Sequence, residues 1–95
     1  GWVLFQLGQY AEAVVHLERA ASLEPVAPVI NDHLGDAFWA VGREIEARFQ
    51  WQRALSFNPA EDDAERIRDK LARGLDLVLL GEGEEPVRLA SDESQ

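Results

Sequence analysis

Apolar positions recur every three to four residues along most of the chain, which is the spacing of one helical face rather than of a strand. Between residues 28 and 41 the recurring positions are Ile30, Leu34, Phe38 and Val41. Pro28 opens this segment, where a missing N–H costs nothing in the first helical turn. Gly42 fits the left-handed stop at its end. Residues 44–57 carry Ile45, Phe49, Trp51 or Gln52, and Leu55 along the faces of a second helix. Asn58-Pro59 ends it, because the residue before proline avoids helical geometry. Upstream, residues 2–7 read as a helix remnant, Gly8 as its stop and 10–23 as a helix closed by Pro25. Downstream, residues 60–80 read as one helix with an acidic first turn, "AEDDAE", suited to the positive helix N-terminus. Its stripe is Ala64, Ile67, Leu71, Gly74, Leu75 and Val78, and Gly81 stops it. The pattern predicts an all-α fold.

Shifted by 34, the chain falls on itself. Gly1 meets Gly35, Gly8 meets Gly42, Glu12 meets Glu46, Ala13 meets Ala47, Arg19 meets Arg53, Ala20 meets Ala54, Ser22 meets Ser56 and Pro25 meets Pro59, eight identities over 25 ungapped positions. Leu4 with Phe38, Leu17 with Trp51 and Leu23 with Phe57 are conservative pairs. Such a period marks a stacked array of two-helix units. The register breaks after residue 60, where Arg68 and Asp69 stand opposite Leu34 and Gly35. Residues 60–80 are therefore expected to cap the array. Within the unit, Gly35 in a helix interior costs about 1 kcal/mol relative to alanine, so it needs a packing reason. Close helix approach supplies one, helped by Ala47 and Ala54, with Phe38 and Trp51 filling the volume between units.

Leu34-Gly35, Phe38, Ala47, Trp51, Ala54 and Pro59, with Gly1, Gly8, Tyr10, Ala13, Leu17, Ala20 and Pro25 in the first unit, resemble the tetratricopeptide repeat, or TPR. The match covers residues 1–59, and the wording of residues 31–57 is similar to bacterial members. Asn31 stands where the family has a large aromatic, and Glu44 where it has a tyrosine after the turn glycine. The resemblance implies a right-handed superhelix of antiparallel helix pairs. Residues 1–25 would be a partial repeat, 28–59 a full one and 60–80 a capping helix, and the first helices would line a concave face for a peptide or partner helix. Some members clamp a terminal carboxylate there with Lys, Arg and Asn. Asp32 and Asp36 at the matching positions would repel it, which argues against a carboxylate-clamp adaptor.

Composition narrows the partners. The 95 residues have a net charge of −9. Residues 1–59 hold 7 acids and 4 bases, whereas 60–95 hold 11 and 5. That surplus opposes nucleic acid, whose phosphates demand Lys and Arg, and disfavours anionic membrane surfaces. A protein or peptide partner of basic or mixed charge is expected. There is no cysteine, so disulfides and thiolate metal sites are excluded while the compartment, cytoplasmic or periplasmic, stays open. No apolar run approaches the ~18 residues of a membrane span. The opening "GWVLFQLG" reads as the interior of a longer chain, with this segment near its C-terminus. Residues 81–95, "GEGEEPVRLASDESQ", are expected to be a solvated, disordered tail.

On the face turned to the groove, residues 34 apart become neighbours. Phe5 would lie beside Trp39, Trp39 beside Arg73, Asp32 opposite Arg66 and Asp36 opposite Lys70. The candidate partner-binding set is Trp2, Phe5, Gln6, Asp32, Asp36, Trp39, Arg66, Lys70 and Arg73, with Phe5 and Trp39 as apolar anchors. The same residues could simply satisfy one another, as exposed ion pairs worth about 0–1 kcal/mol each and one cation–π contact. In "LDLVLL", Leu77 and Leu80 leave the buried stripe and offer an interface to a second copy or to the rest of a longer array. The truncated first unit leaves an edge near Leu4, Leu7, Val14 and Leu17 open to dimerisation. Catalytic sets are poor. Asp32, His33 and Asp36 lack the enclosure of a metal site. His16 stands alone, and Ser22, Ser56, Ser91 and Ser94 have no matched base. In "GEGEEP" the acids would repel phosphate. Neither enzyme activity nor a cofactor is expected.

Overall fold

Helices form where the apolar spacing and the punctuating glycines place them, with one break that the pattern conceals. The computed structural model describes Phe5 and residues 8–88. Its helices are α1 (Tyr10–Leu23), α2 (Pro28–Ala40), α3 (Glu44–Ser56), α4 (Glu61–Arg73) and α5 (Leu75–Gly81), and the described residues contain no strand. The protein is all-α.

Pro28 occupies the first turn of α2. At its other end Gly42 takes φ 88°, and its N–H and that of Arg43 reach back to the carbonyls of Trp39 and Phe38 at 3.0 and 2.9 Å. That pair of bonds is a Schellman stop. It turns the chain within three residues, so α2 and α3 form a helical hairpin. Gly8 has the same left-handed conformation 34 residues earlier, just before α1. After α3 the stop is Asn58, left-handed at φ 56° ahead of Pro59. The unusual Asn31 is buried, and its Nδ2 donates to the carbonyls of Pro25 (3.1 Å) and Ala27 (2.8 Å). Its side chain thus closes the turn that precedes α2.

α2 packs on both α1 and α3, α3 also meets α4, and α4 meets α5. The core runs through these layers as Ala13, Val14, Leu17, Leu34, Ala37, Phe38, Trp39, Ala47, Trp51, Ala54, Ile67 and Leu75. At Gly35 the α2–α3 approach is so close that a Cβ would lie 2.5 Å from the Trp51 ring and 3.0 Å from the Ala47 carbonyl oxygen. Val14 and Leu17, expected at an open edge, are buried instead. Leu4 and Leu7, with the rest of the 2–7 segment apart from Phe5, lie outside the described residues.

The single helix expected over 60–80 is two. Gly74 sits at φ 85°, ψ 156°, a combination essentially confined to glycine, so the apolar stripe continues while the axis changes direction. A Cβ at Gly74 would fall 2.6 Å from Cη2 of Trp39, so the indole itself requires this glycine. Residues 82–88 also depart from expectation. Gly83 (φ 79°) closes α5 with a second Schellman stop, Gly83 N–H to Leu80 O at 3.1 Å and Glu84 N–H to Leu79 O at 2.8 Å. Val87 then packs against the core. Residues 84–88 form a strap on the helices, and 89–95 lie outside the described residues.

Candidate functional site

Asp32 and Asp36 are one helical turn apart on α2 and so share a face. α4 sends Lys70 onto that face. Its ammonium donates to Asp32 Oδ1 at 2.7 Å and to both oxygens of Asp36 at 2.9 and 3.1 Å. Trp51 Nε1 donates to Asp36 Oδ1 at 3.0 Å. Lys70 is 0% exposed and Asp36 2%, so this centre is a buried ion pair and not the exposed one expected from the sequence. Burial pushes the Asp36 carboxyl up to about 6, against the pull of Lys70. With its donors committed to carboxylates, Lys70 ties α2 to α4 and presents nothing to a substrate.

The other anticipated pairings rearrange. Arg66 binds Glu82 rather than Asp32, donating from Nε and Nη2 to the two carboxylate oxygens at 2.7 and 2.9 Å. Arg73 binds Asp69 on its own helix at 2.9 and 2.8 Å and does not cover Trp39. Phe5 packs against the core and tilts onto Tyr10 at 5.1 Å. Trp39 is 7% exposed and cannot serve as an open anchor. Leu77 and Leu80 are exposed as expected. Trp2 and Gln6 lie outside the described residues.

Trp39 is covered by a second polar centre. Its Nε1 donates to Asp76 Oδ2 at 3.1 Å. The other oxygen, Oδ1, accepts two consecutive backbone N–H groups of the strap, Val87 at 2.8 Å and Arg88 at 3.1 Å. Successive N–H groups converging on one anion form a nest, here supplied by the strap around a carboxylate of α5. The Arg88 guanidinium lies 5.3 Å above the Trp39 ring and pairs with Glu44 at 3.2 Å. Beside the strap runs an open cleft of about 440 Å³, lined by Phe5, Tyr10, Arg66, Leu79, Val87 and the acids Glu82, Glu84 and Glu85. Burial, and then the charge of Asp76, raise the Tyr10 hydroxyl above its ordinary value.

Sequence reasoning missed Asp76, Glu44 and Arg88 as one site. Three weak signals were present: a lone carboxylate inside the apolar run "LDLVLL", a departure from the TPR pattern at residue 44, and one apolar–basic pair, Val87-Arg88, in an otherwise acidic tail. Among the described residues no group of three or more His, Cys, Asp or Glu side chains is placed to hold a metal ion, and no helix is long and apolar enough to cross a membrane. No protein-family model, no curated protein and no solved structure matches the chain.

Proposed function

We propose that the chain is a TPR-like module that binds a peptide or helix of a partner protein on the face formed by α2, the start of α3 and α5. One observation carries the binding role: that face already holds a non-helical segment, residues 84–88, through backbone hydrogen bonds, an apolar contact and an ion pair. The TPR-like reading is supported by a 34-residue period in the backbone itself. Gly8 and Gly42 are both left-handed, α1 and α3 begin at Tyr10 and Glu44, and Lys70 reaches Asp36 across the same interval. The partner is a protein of basic or mixed charge, since net charge −9 steers such chains toward it. Nucleic acid and cofactors have no part in this reading, and neither has catalysis.

A second reading, assembly with another copy or with neighbouring repeats, is favoured by the row of exposed apolar side chains on α3. Ile45 is 86% and Phe49 54% exposed, and they stand one turn apart. Panning a random displayed-peptide library on the chain, with light scattering in parallel, separates the two. The binding reading expects enriched peptides carrying Lys or Arg with apolar residues, captured less well at high salt, by a chain that stays monomeric. No enrichment at any salt, with a mass that doubles as concentration rises, would replace it with self-assembly.

A further inference from the structure

We infer that the groove over Trp39 is a recognition site for an extended peptide carrying an apolar residue followed by arginine, and that residues 84–88 occupy it as an exchangeable internal ligand. The inference rests on the binding role proposed above and specifies its ligand.

The strap is held as a bound peptide would be. Its register is set by the main chain, through the Val87 and Arg88 N–H groups on Asp76 Oδ1, contacts available to any sequence that is not proline at those positions. Its identity is read by side chains: Val87 against the core, and Arg88 between the Trp39 face and the Glu44 carboxylate. An aromatic face with a carboxylate beside it selects arginine over a neutral residue by combining cation–π attraction with an ion pair.

Everything that forms the site belongs to helices and not to the strap. Trp39 is in α2, Glu44 begins α3, and Asp76 is in α5. Asp76 is held in place by the Trp39 indole N–H. The strap itself follows the left-handed Gly83 and lies outside every helix. Its Arg88–Glu44 contact is partly exposed on both sides, the kind of ion pair that contributes little and exchanges readily. The cleft beside Val87 leaves room for an incoming chain to extend along Phe5, Tyr10 and Leu79. Charge complementarity points to the same ligand, because Glu44 presents negative charge where the guanidinium must sit, and Asp76 presents it to the main-chain N–H groups.

A competing internal ligand acts at an effective concentration of about millimolar through a short tether. The unmodified chain should therefore bind an added peptide weakly, and a chain with its strap released should bind it well. The probe is a fluorescein-labelled Glu-Glu-Pro-Val-Arg-Leu-Ala peptide, the sequence of residues 84–90, followed by anisotropy. The full chain carrying Val87→Asp and Arg88→Glu should bind at least about tenfold more tightly than the unmodified chain. Adding Asp76→Asn to the released chain should weaken binding about tenfold or more, and so should glutamate in place of arginine in the peptide. Absence of binding to a released chain that keeps its helical circular dichroism overturns the inference, as does binding indifferent to Asp76→Asn. If the double variant unfolds, Arg88→Glu alone takes its place. Unfolding of that variant too makes the strap part of the core and overturns the inference equally. The broader binding role fails separately: peptides enriched from the library whose capture ignores Asp76→Asn would preserve it while removing this site.

Discussion

Lys70→Met should destabilise the fold by about 3–5 kcal/mol at pH 7, read from urea unfolding. The substitution keeps most of the side-chain volume and deletes the side-chain cation that bonds both Asp36 and Asp32 in the interior. What remains is a carboxylate, 2% exposed, that still accepts the Trp51 N–H but has lost its counter-charge. An uncompensated buried charge costs far more than an exposed ion pair contributes. Two further outcomes identify the mechanism. Adding Asp36→Asn to Lys70→Met should recover part of the loss, because the amide oxygen can still accept from Trp51 without carrying charge. The loss should also shrink as pH falls from 7 toward about 5. Burial already holds the Asp36 carboxyl above its ordinary value, and removing Lys70 raises it further. A carboxyl with a higher folded than unfolded pKa binds more protons when folded, so lowering the pH through that window restores stability. A loss below about 1 kcal/mol, or one independent of pH, would mean that the pair behaves as a surface contact.

Trp51→Ala should cost a similar ~3–5 kcal/mol. Its side chain is 0% exposed, lies 5.9 Å from the Trp39 ring at 33°, and fills the space that Gly35 leaves open. Removing it deletes a fully buried indole and the N–H that Asp36 accepts. The surface aromatic Phe49 is the control. At 54% exposure, Phe49→Ala should fall near the ±0.5 kcal/mol of ordinary surface changes. Equal losses for the two variants would contradict the assignment of Trp51 to the α2–α3 interior.

These residues show what the sequence could carry. Helical spacing and the left-handed glycines located α1, α2 and α3 to within a residue or two, because caps and periodicity are local properties. The shift of 34 also paired Asp36 with Lys70, and the two bond across that interval. Depth was not legible. Whether a charged pair is exposed depends on what covers it, and here α3 supplies Trp51 from the third direction. Gly74 looked like a small member of an apolar stripe, and only its approach to Trp39 shows why the helix must break there. The placement of residues 84–88 was hidden for the same reason. Its composition is that of a solvated segment, yet three specific contacts, to Asp76, Glu44 and the Trp39 face, hold its one apolar–basic pair. Average composition does not register a single well-placed pair.

The central claim is that the C-terminal strap lies on the helices as a ligand, anchored by its main chain on Asp76. Native-state hydrogen exchange of the Val87 and Arg88 amides tests it most directly. The account predicts exchange slowed by at least about tenfold relative to an unstructured chain, yet faster than in α2–α4, because the strap opens without global unfolding. Exchange of both amides at unstructured rates, while the amides of α2–α4 stay protected, would contradict it.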